Sequence, residues 1–136
     1  MNTFKKAVFD PKAAQTSVAQ VTSLTGLCHG LAVERGWWHD LKTGKPLERN
    51  KAELLCLIHS EVSEALEGVR KNCNDDHLTD RKMEEVELAD VLIRVFDYAG
   101  GFGLDVGGAL IEKLQYNQTR ADHSKEARLK DNAKKI

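Results

Sequence analysis

The sequence predicts an all-α protein with a four-helix-bundle-like arrangement, and three observations favour this. Apolar residues recur at helical spacing in four segments, whereas the alternation typical of strands is nowhere clear. Prolines, which interrupt helices, occur only at positions 11 and 46. Glycine and polar runs separate the four segments, as expected between helices. The length of 136 residues suits one domain with one core, so residues 1–136 are expected to form a single domain.

Composition limits the class of protein. Hydrophobic residues make up 41% and charged residues 30% of the chain, as in globular soluble proteins. The net charge of −1 gives no basic surface for nucleic acid or for a membrane, so neither is an expected partner. Cys28, Cys56 and Cys73 are odd in number and lack CxxC spacing, which indicates reduced thiols. With no signal-like or transmembrane-length apolar run, the expected compartment is the cytoplasm.

The first helix is expected to follow a loose arm at residues 1–9. Asp10 is a suitable N-cap, and proline is favoured at the first helical position, which Pro11 occupies. The helix should run to about Arg35 and end at Gly36. Its apolar residues at helical spacing are Val18, Val21, Leu24, Leu27, Leu31 and Ala32.

The loop at residues 36–50 carries both tryptophans of the chain, Trp37 and Trp38, followed by His39. Two adjacent indoles cannot both face one core. One is therefore expected to pack inward while the other is available to stack on a nucleobase. The alternative is that both indoles close the end of the bundle, as large apolar residues commonly do.

Two further helices should follow. Asn50 is expected to cap the second helix, which runs to about Lys71. After a polar connector at 72–77, Thr79 or Asp80 should cap the third, which is expected to stop at the glycine pair 100–101.

The fourth helix should begin at Asp105 and be followed by a charged tail at 122–136. On it, Lys113, Asn117 and Arg120 share one face, an arrangement suited to holding phosphate. The alternative is an ordinary solvated face, the usual environment of Lys and Arg.

Paired carboxylates are the most informative feature of the second and third helices. Glu61 and Glu64 are three residues apart, as are Glu87 and Asp90, so each pair shares a helix face. Helices side by side would gather four mutually repelling carboxylates. A hard divalent cation such as Mg²⁺, for which Mn²⁺ is expected to substitute, would neutralise them. The alternative is a set of surface ion pairs.

The phase of these acids strengthens the metal interpretation. Glu61 falls within the apolar stripe of its helix, and the third helix is apolar around most of its circumference, which predicts a buried helix. Its polar exceptions lie in one arc: Glu87, Asp90, Arg94 and Asp97. A buried charged stripe needs compensation and therefore predicts a site or a partner.

Together these features predict chemistry on a nucleotide polyphosphate. The acids would bind Mg²⁺, the metal would bind phosphate oxygens, and the Lys/Asn/Arg row would take the remaining negative charge. An indole would cover the base. A water activated by the metal and deprotonated by one carboxylate would attack phosphorus.

The motifs resemble the MazG-like all-α nucleoside triphosphate pyrophosphohydrolases. Their ExxE–spacer–ExxD signature matches Glu61/Glu64 and Glu87/Asp90, with 22 residues between the halves. The surrounding stretches LIHSEVSEALEGVRK, EEVELADVLIRVFDYAGGFGLD and EKLQYNQTR are also similar to that family. The resemblance covers about residues 50–120.

This resemblance implies a helical bundle assembled as a homodimer or homotetramer, with a neighbouring subunit assisting the site. It implies hydrolysis of (d)NTPs between the α- and β-phosphates, with a phage-type preference for dGTP or GTP as one possibility. Glu61, Glu64, Glu87 and Asp90 would bind Mg²⁺, and Glu61 or Glu64 would orient or deprotonate the water. The phosphate-binding residues would be Lys113, Asn117 and Arg120, and the base-binding residues Trp37, Trp38 and His39.

Two rival interpretations compete with this enzyme. A di-iron carboxylate bundle requires Glu-x-x-His motifs, and the sequence contains none. A non-enzymatic helical module, whose acidic stripe binds a basic partner, is the other. It predicts no dependence on metal.

Overall fold

The computed structural model describes residues 10–120 and 125–130. Within those ranges every element of the fold is a helix, and there is no strand. The prediction of an all-α protein is therefore confirmed. The predicted arm at 1–9 and positions 121–124 and 131–136 of the predicted tail lie outside the described residues. The helices are α1 (Pro11–Glu34), α2 (Lys51–Lys71), α3 (Met83–Phe102), α4 (Val106–Thr119) and α5 (Lys125–Arg128).

The chain divides into two compact units. We call Ser23–Leu104 the central unit, and Met1–Thr22 with Asp105–Ile136 the terminal unit. Helix α1 runs through the boundary and contributes its second half to the central unit. Whether the chain behaves as one domain stays a prediction.

Three helix starts follow the predicted capping chemistry. The Asp10 carboxylate accepts hydrogen bonds from the first-turn amides of α1 at 3.1 and 3.3 Å. Asn50 Oδ1 accepts one from the Ala52 amide at 2.9 Å, and Asp105 Oδ1 accepts one from the Gly108 amide at 2.8 Å. Each side chain satisfies an amide that has no partner inside its own helix.

The start of α3 differs from the prediction. Neither Thr79 nor Asp80 caps it, because the helix begins at Met83, after Lys82. The connector forms its own hydrogen-bonded loop, in which the Asp75 carboxylate accepts from two backbone amides at 2.9 and 2.6 Å. Turn chemistry at Asp75 therefore displaces the helix start by several residues.

The end of α3 also differs, because Gly100 and Gly101 remain helical and the helix ends at Gly103, with φ 65°. A methyl group on Gly101 would lie 2.0 Å from Cη2 of Trp38. One on Gly100 would lie 2.5 Å from Cβ of His29. The two glycines therefore serve close packing against α3, while Gly103 alone supplies the left-handed conformation that ends the helix.

Helices α2 and α3 form an antiparallel hairpin. Gly68 approaches the start of α3, where an added methyl group would meet the Glu84 amide at 2.9 Å. The buried residues of the hairpin are small except for one phenylalanine: Ala65, Gly68, Phe96 and Ala99. Small residues bring the two backbones close together, and acids on facing turns therefore meet.

The outer faces of the hairpin are apolar, so the predicted burial of α3 is wrong for the isolated chain. Leu88 and Leu92 on α3 are 48% and 53% exposed, and Leu66 on α2 is 67% exposed. The charged arc of α3 faces its neighbours instead, because its residues pair with α1, α2 and the loop. Among the described helices, none has the length and apolarity needed to cross a membrane.

In the terminal unit, the first half of α1 packs against α4. A methyl group on Gly107 would lie 3.1 Å from the Val18 carbonyl oxygen and 3.4 Å from Cβ of Val21. Ala14 is buried in the same unit. Gly107, at the start of α4, therefore permits close helix contact.

Candidate metal centre and adjoining cavity

Three carboxylates meet between α2 and α3. Glu61, Glu87 and Asp90 each offer an oxygen, and these oxygens lie within 4.8 Å of one another. All three residues are partly buried. We call them the acid cluster. Hard divalent cations prefer such oxygen donors, so the donor set fits Mg²⁺ or Mn²⁺.

Glu64, the fourth acid of the predicted set, is exposed and lies outside the acid cluster. Its charge nevertheless contributes to raising the pKa of Glu87, which places it in the same neighbourhood. No described residue forms an ion pair with Glu64.

Arg94, a member of the charged arc of α3, supplies a cation to the acid cluster. Its Nε donates a hydrogen bond to Glu61 Oε1 at 2.6 Å, across the α2–α3 hairpin. The Glu61 side chain is only 13% exposed, so the pair is partly shielded from solvent. The expectation of four unpaired carboxylates is therefore wrong for Glu61. One guanidinium still faces three acids, which leaves an excess of negative charge.

That excess appears in the pKa values of the other two acids. Partial burial, followed by the charge and close approach of Glu61, raises the pKa of Glu87. Burial and Glu61 also raise the pKa of Asp90, although Arg94 opposes this shift. Both carboxyls are easier to protonate than usual, as expected where acids crowd together in a partly buried place.

A cavity of about 650 Å³ adjoins the acid cluster within the central unit. Asp90 and Arg94 belong to both. Its apolar wall includes Leu27, Leu31, Leu54, Leu57 and Ile93. Its charged wall includes Arg35, Arg49, Arg94, Asp90 and Asp97. A largely apolar cavity with a few convergent polar groups is typical of small-molecule sites.

Asp97 joins three parts of the chain at this cavity. Its Oδ1 lies 2.8 Å from Nδ1 of His29 on α1 and accepts a hydrogen bond of 2.8 Å from Nε1 of Trp38. The indole also packs edge-on against the His29 ring and the Phe102 ring, at 5.0 and 5.5 Å between centroids. No described residue donates to Oδ2 of Asp97, and this oxygen therefore keeps acceptor capacity.

The two tryptophans have different environments. Trp38 is held by Asp97, whereas Trp37 is 61% exposed and lines the cavity. Arg49 donates to the Trp37 carbonyl oxygen, which helps hold this backbone in place. The structure therefore agrees with the first alternative, in which one indole packs inward and the other is exposed, and not with both indoles closing the end of the bundle.

His39, the third predicted base-binding residue, does not line the cavity. It pairs with Pro46 in an isolated bridge that closes a small hairpin at residues 39–46. Within this hairpin the Asp40 carboxylate accepts hydrogen bonds from the Thr43 amide and hydroxyl at 2.7 and 2.9 Å.

Lys113, Asn117 and Arg120 belong to the terminal unit. The Lys113 ammonium lies 4.8 Å from the ring centroid of Tyr116, and Asn117 Oδ1 is buried with no hydrogen-bond partner among the described residues. Arg120 follows the last residue of α4, with extended backbone. The prediction that Arg120 lies on the fourth helix, in a row with Lys113 and Asn117, is therefore wrong.

Sequence reasoning missed Arg35 and Arg49 as cavity residues, and His29 as the partner of Asp97. These side chains come together through tertiary packing, and no spacing in the sequence links them. Asp97 and Arg94 had a visible signal, because they continue the charged arc of α3 beyond Asp90.

Comparison with known proteins gives no relative. No protein-family model matches the chain, and no curated protein or solved structure matches it.

Proposed function

We propose that the protein is a MazG-like pyrophosphohydrolase that uses Mg²⁺ to hydrolyse (d)NTPs between the α- and β-phosphates. The products are a nucleoside monophosphate and pyrophosphate. The observation that carries the proposal is the acid cluster, whose three oxygens lie within 4.8 Å of one another beside a cavity that shares Asp90. The compartment proposed is the cytoplasm.

The acid cluster would hold the metal through Glu61, Glu87 and Asp90, with Glu64 as a further ligand. A bound Mg²⁺ supplies charge stabilisation for phosphate oxygens and lowers the pKa of water. The raised pKa values of Glu87 and Asp90 support this role, because a cation would relieve the repulsion that raises them.

Glu64 is the proposed base, with Glu61 as the alternative. Glu64 is exposed and has no ion-pair partner among the described residues, whereas Arg94 engages Glu61. Glu64 would take a proton from water as the water oxygen bonds to phosphorus. The phosphorus attacked is the α-phosphorus. Its bond to the oxygen that bridges the α- and β-phosphates breaks, and pyrophosphate leaves.

The negative charge of the polyphosphate would be held by cations. Arg35 and Arg49 line the cavity in the central unit, and guanidinium groups bind phosphate in two-point contacts. Lys113, Asn117 and Arg120 keep their proposed phosphate-binding role.

The cavity is proposed to take the base. The exposed Trp37 ring offers a stacking surface worth about 1–3 kcal/mol per base. Oδ2 of Asp97, to which no described residue donates, lies on a residue of the cavity lining and favours a base with N–H donors; guanine presents two adjacent ones. These features support dGTP or GTP as the preferred substrate.

Self-association into a homodimer or homotetramer with a MazG fold is part of the proposal. Leu66 on α2 and Leu88 and Leu92 on α3 expose about half or more of their side chains on the outside of the hairpin. Exposed apolar faces of this kind are commonly covered by another subunit.

We favour the enzyme over a non-enzymatic module that binds a basic partner, because the acids of the cluster are only partly accessible. Glu61 is only 13% exposed and already pairs with Arg94 of the same chain, and Glu87 and Asp90 are partly buried. A stripe of this kind is poorly placed for a partner's surface, since the outer face of the hairpin is apolar.

A panel of (d)NTPs incubated with Mg²⁺ tests the proposed function, with pyrophosphate separated from orthophosphate. Release of pyrophosphate with a nucleoside monophosphate is expected, with dGTP or GTP ranked first. Absence of cleavage across the panel, in the presence of either Mg²⁺ or Mn²⁺, would favour the interaction module.

A further inference from the structure

The ion pair between Arg94 and Glu61 occupies the acid cluster with a cation of the chain itself. Arg94 Nε donates to Oε1 of Glu61 at 2.6 Å, and Glu61 is one of the three acids of the cluster. The charge of Arg94 also opposes the rise in the pKa of Asp90, so it reaches a second member of the cluster. Within the described residues, it is the one Lys or Arg paired with a cluster acid.

A divalent ion and the guanidinium of Arg94 would compete for the Glu61 carboxylate. The cluster holds three carboxylates and one guanidinium, so its net charge without metal is about −2 when all three acids are ionised. An entering Mg²⁺ would require oxygen ligands from Glu61 and would repel a guanidinium bonded to the same carboxylate. The pair must therefore weaken when metal binds.

The released side chain has a place to go. Arg94 is 38% exposed and lines the cavity that Asp90 connects to the acid cluster. Rotation about its side-chain bonds would move the guanidinium from Glu61 towards the cavity without any movement of α3. A substrate phosphate there would offer two oxygens to its five N–H donors.

We propose that Arg94 is an exchangeable counter-ion, which neutralises Glu61 when no metal is bound and turns to the substrate's phosphates when a divalent cation replaces it. This inference rests on the proposed function. It assigns Arg94 a role in substrate binding and a regulatory effect on metal affinity.

The primary test is the affinity for Mg²⁺ in the absence of nucleotide, measured by titration calorimetry on the wild-type chain and on Arg94→Met. Methionine keeps much of the length of the side chain but removes its charge. Because the competing cation is gone, Arg94→Met is expected to bind Mg²⁺ at least about fivefold more tightly. The control is Arg35→Met, which removes a cavity cation that pairs with no acid among the described residues and should leave the Mg²⁺ affinity within about twofold.

Substrate binding should change in the opposite direction. With saturating Mg²⁺, Arg94→Met is expected to bind an α,β-imido nucleoside triphosphate, which resists cleavage at the proposed bond, about tenfold more weakly than wild type. Tighter metal binding combined with weaker nucleotide binding is the signature of exchange. A fixed structural ion pair would not give opposite shifts.

A second measurement keeps the proposal testable if Arg94→Met does not fold. In the wild-type chain, the Nε–H of Arg94 should exchange slowly with solvent in NMR spectra without metal and at least about fivefold faster with saturating Mg²⁺. The Arg94→Lys variant lacks this group, so the resonance that disappears from its spectrum is the one assigned to Nε–H of Arg94.

The outcomes separate the two proposals. If wild type binds Mg²⁺ while Arg94→Met binds it equally or more weakly, or if Nε–H stays protected at saturation, the exchange is disproved and the proposed function stands. If wild type binds neither Mg²⁺ nor Mn²⁺ at millimolar concentration, both fail.

Discussion

The indole N–H of Trp38 donates a hydrogen bond of 2.8 Å to Asp97 Oδ1 and thereby fixes the loop after α1 onto α3. The same oxygen lies 2.8 Å from Nδ1 of His29, so one carboxylate joins α1, the loop and α3. This contact holds the exposed Trp37 beside the cavity, since Trp37 directly precedes Trp38.

The Trp38→Phe variant tests the strength of this contact. Phenylalanine keeps an aromatic ring but removes the donor to a charged acceptor, so the free energy of unfolding should fall by about 1–2 kcal/mol. Chemical denaturation monitored by circular dichroism measures the loss. Trp37→Phe is the matched control, because Trp37 is exposed and its indole has no hydrogen bond to a described residue. Equal stability of the two variants would show that the Asp97 contact contributes little.

Gly101→Ala tests the close packing of the Trp38 ring on α3. The added methyl group would lie 2.0 Å from the ring, so the ring must shift and the free energy of unfolding should fall by about 1–3 kcal/mol. Gly26→Ala, in the exposed and open middle of α1, should instead raise it by about 0.5–1 kcal/mol. Thermal denaturation of both variants distinguishes a packing effect from a helix-propensity effect. Stabilisation by both substitutions would be inconsistent with the contact.

Glu87→Gln tests the crowding of acids in the absence of metal. The folded-state pKa of Glu87 is raised above its ordinary value of 4.5, so its ionised form is disfavoured in the folded state. Its contribution to stability is therefore lost as pH rises through the raised pKa. Removing the charge should stabilise the metal-free protein at pH 7, on the order of 0.5 kcal/mol after solvent screening, and give no gain below the unfolded pKa.

Urea denaturation in EDTA at pH 7 and at pH 3.5 measures this difference. Glu84→Gln, an exposed neighbour on α3, should show no such gain at pH 7. A gain for Glu87→Gln of equal size at both pH values would contradict the electrostatic explanation.

Glu61→Gln tests the metal centre. Mg²⁺ should stabilise the wild-type chain by about 2.7 kcal/mol at a concentration one hundred times its dissociation constant, because it binds the native state. The variant should lose most of this stabilisation, and its kcat should fall by at least about 100-fold, while its circular dichroism spectrum stays helical. Glu53→Gln, on the same helix but outside the acid cluster, should behave as wild type. A variant that retains full turnover would remove Glu61 from the mechanism.

Local chemistry allowed much of the fold to be predicted from the sequence. Asp10, Asn50 and Asp105 cap helices as expected, because a capping side chain needs only its own first turn. The predictions of both ends of α3 were wrong, the C-terminal end because of tertiary packing and the N-terminal end because of a local turn. Gly101 is helical since Trp38 packs on it, and Asp75 builds a loop where a helix start was expected.

The acid pairs were likewise visible, because i, i+3 spacing places both acids of a pair on one helix face. The α2–α3 hairpin then brings Glu61, Glu87 and Asp90 together. The pairing of Glu61 with Arg94 was not visible, since it joins positions 33 residues apart and depends on how α2 and α3 align. Burial of α3 was overestimated for a similar reason. Periodicity shows that a face is apolar but does not show whether the chain itself covers it.

The hairpin at residues 39–46 is anchored independently on both sides. Asp97 holds Trp38 before it, and the cap of α2 at Asn50 follows it. We therefore expect changes at its tip, near Gly44, to leave the cavity walls in place. The tip is accordingly a suitable position for an epitope tag or a fluorescent label that reports on the protein without disturbing it.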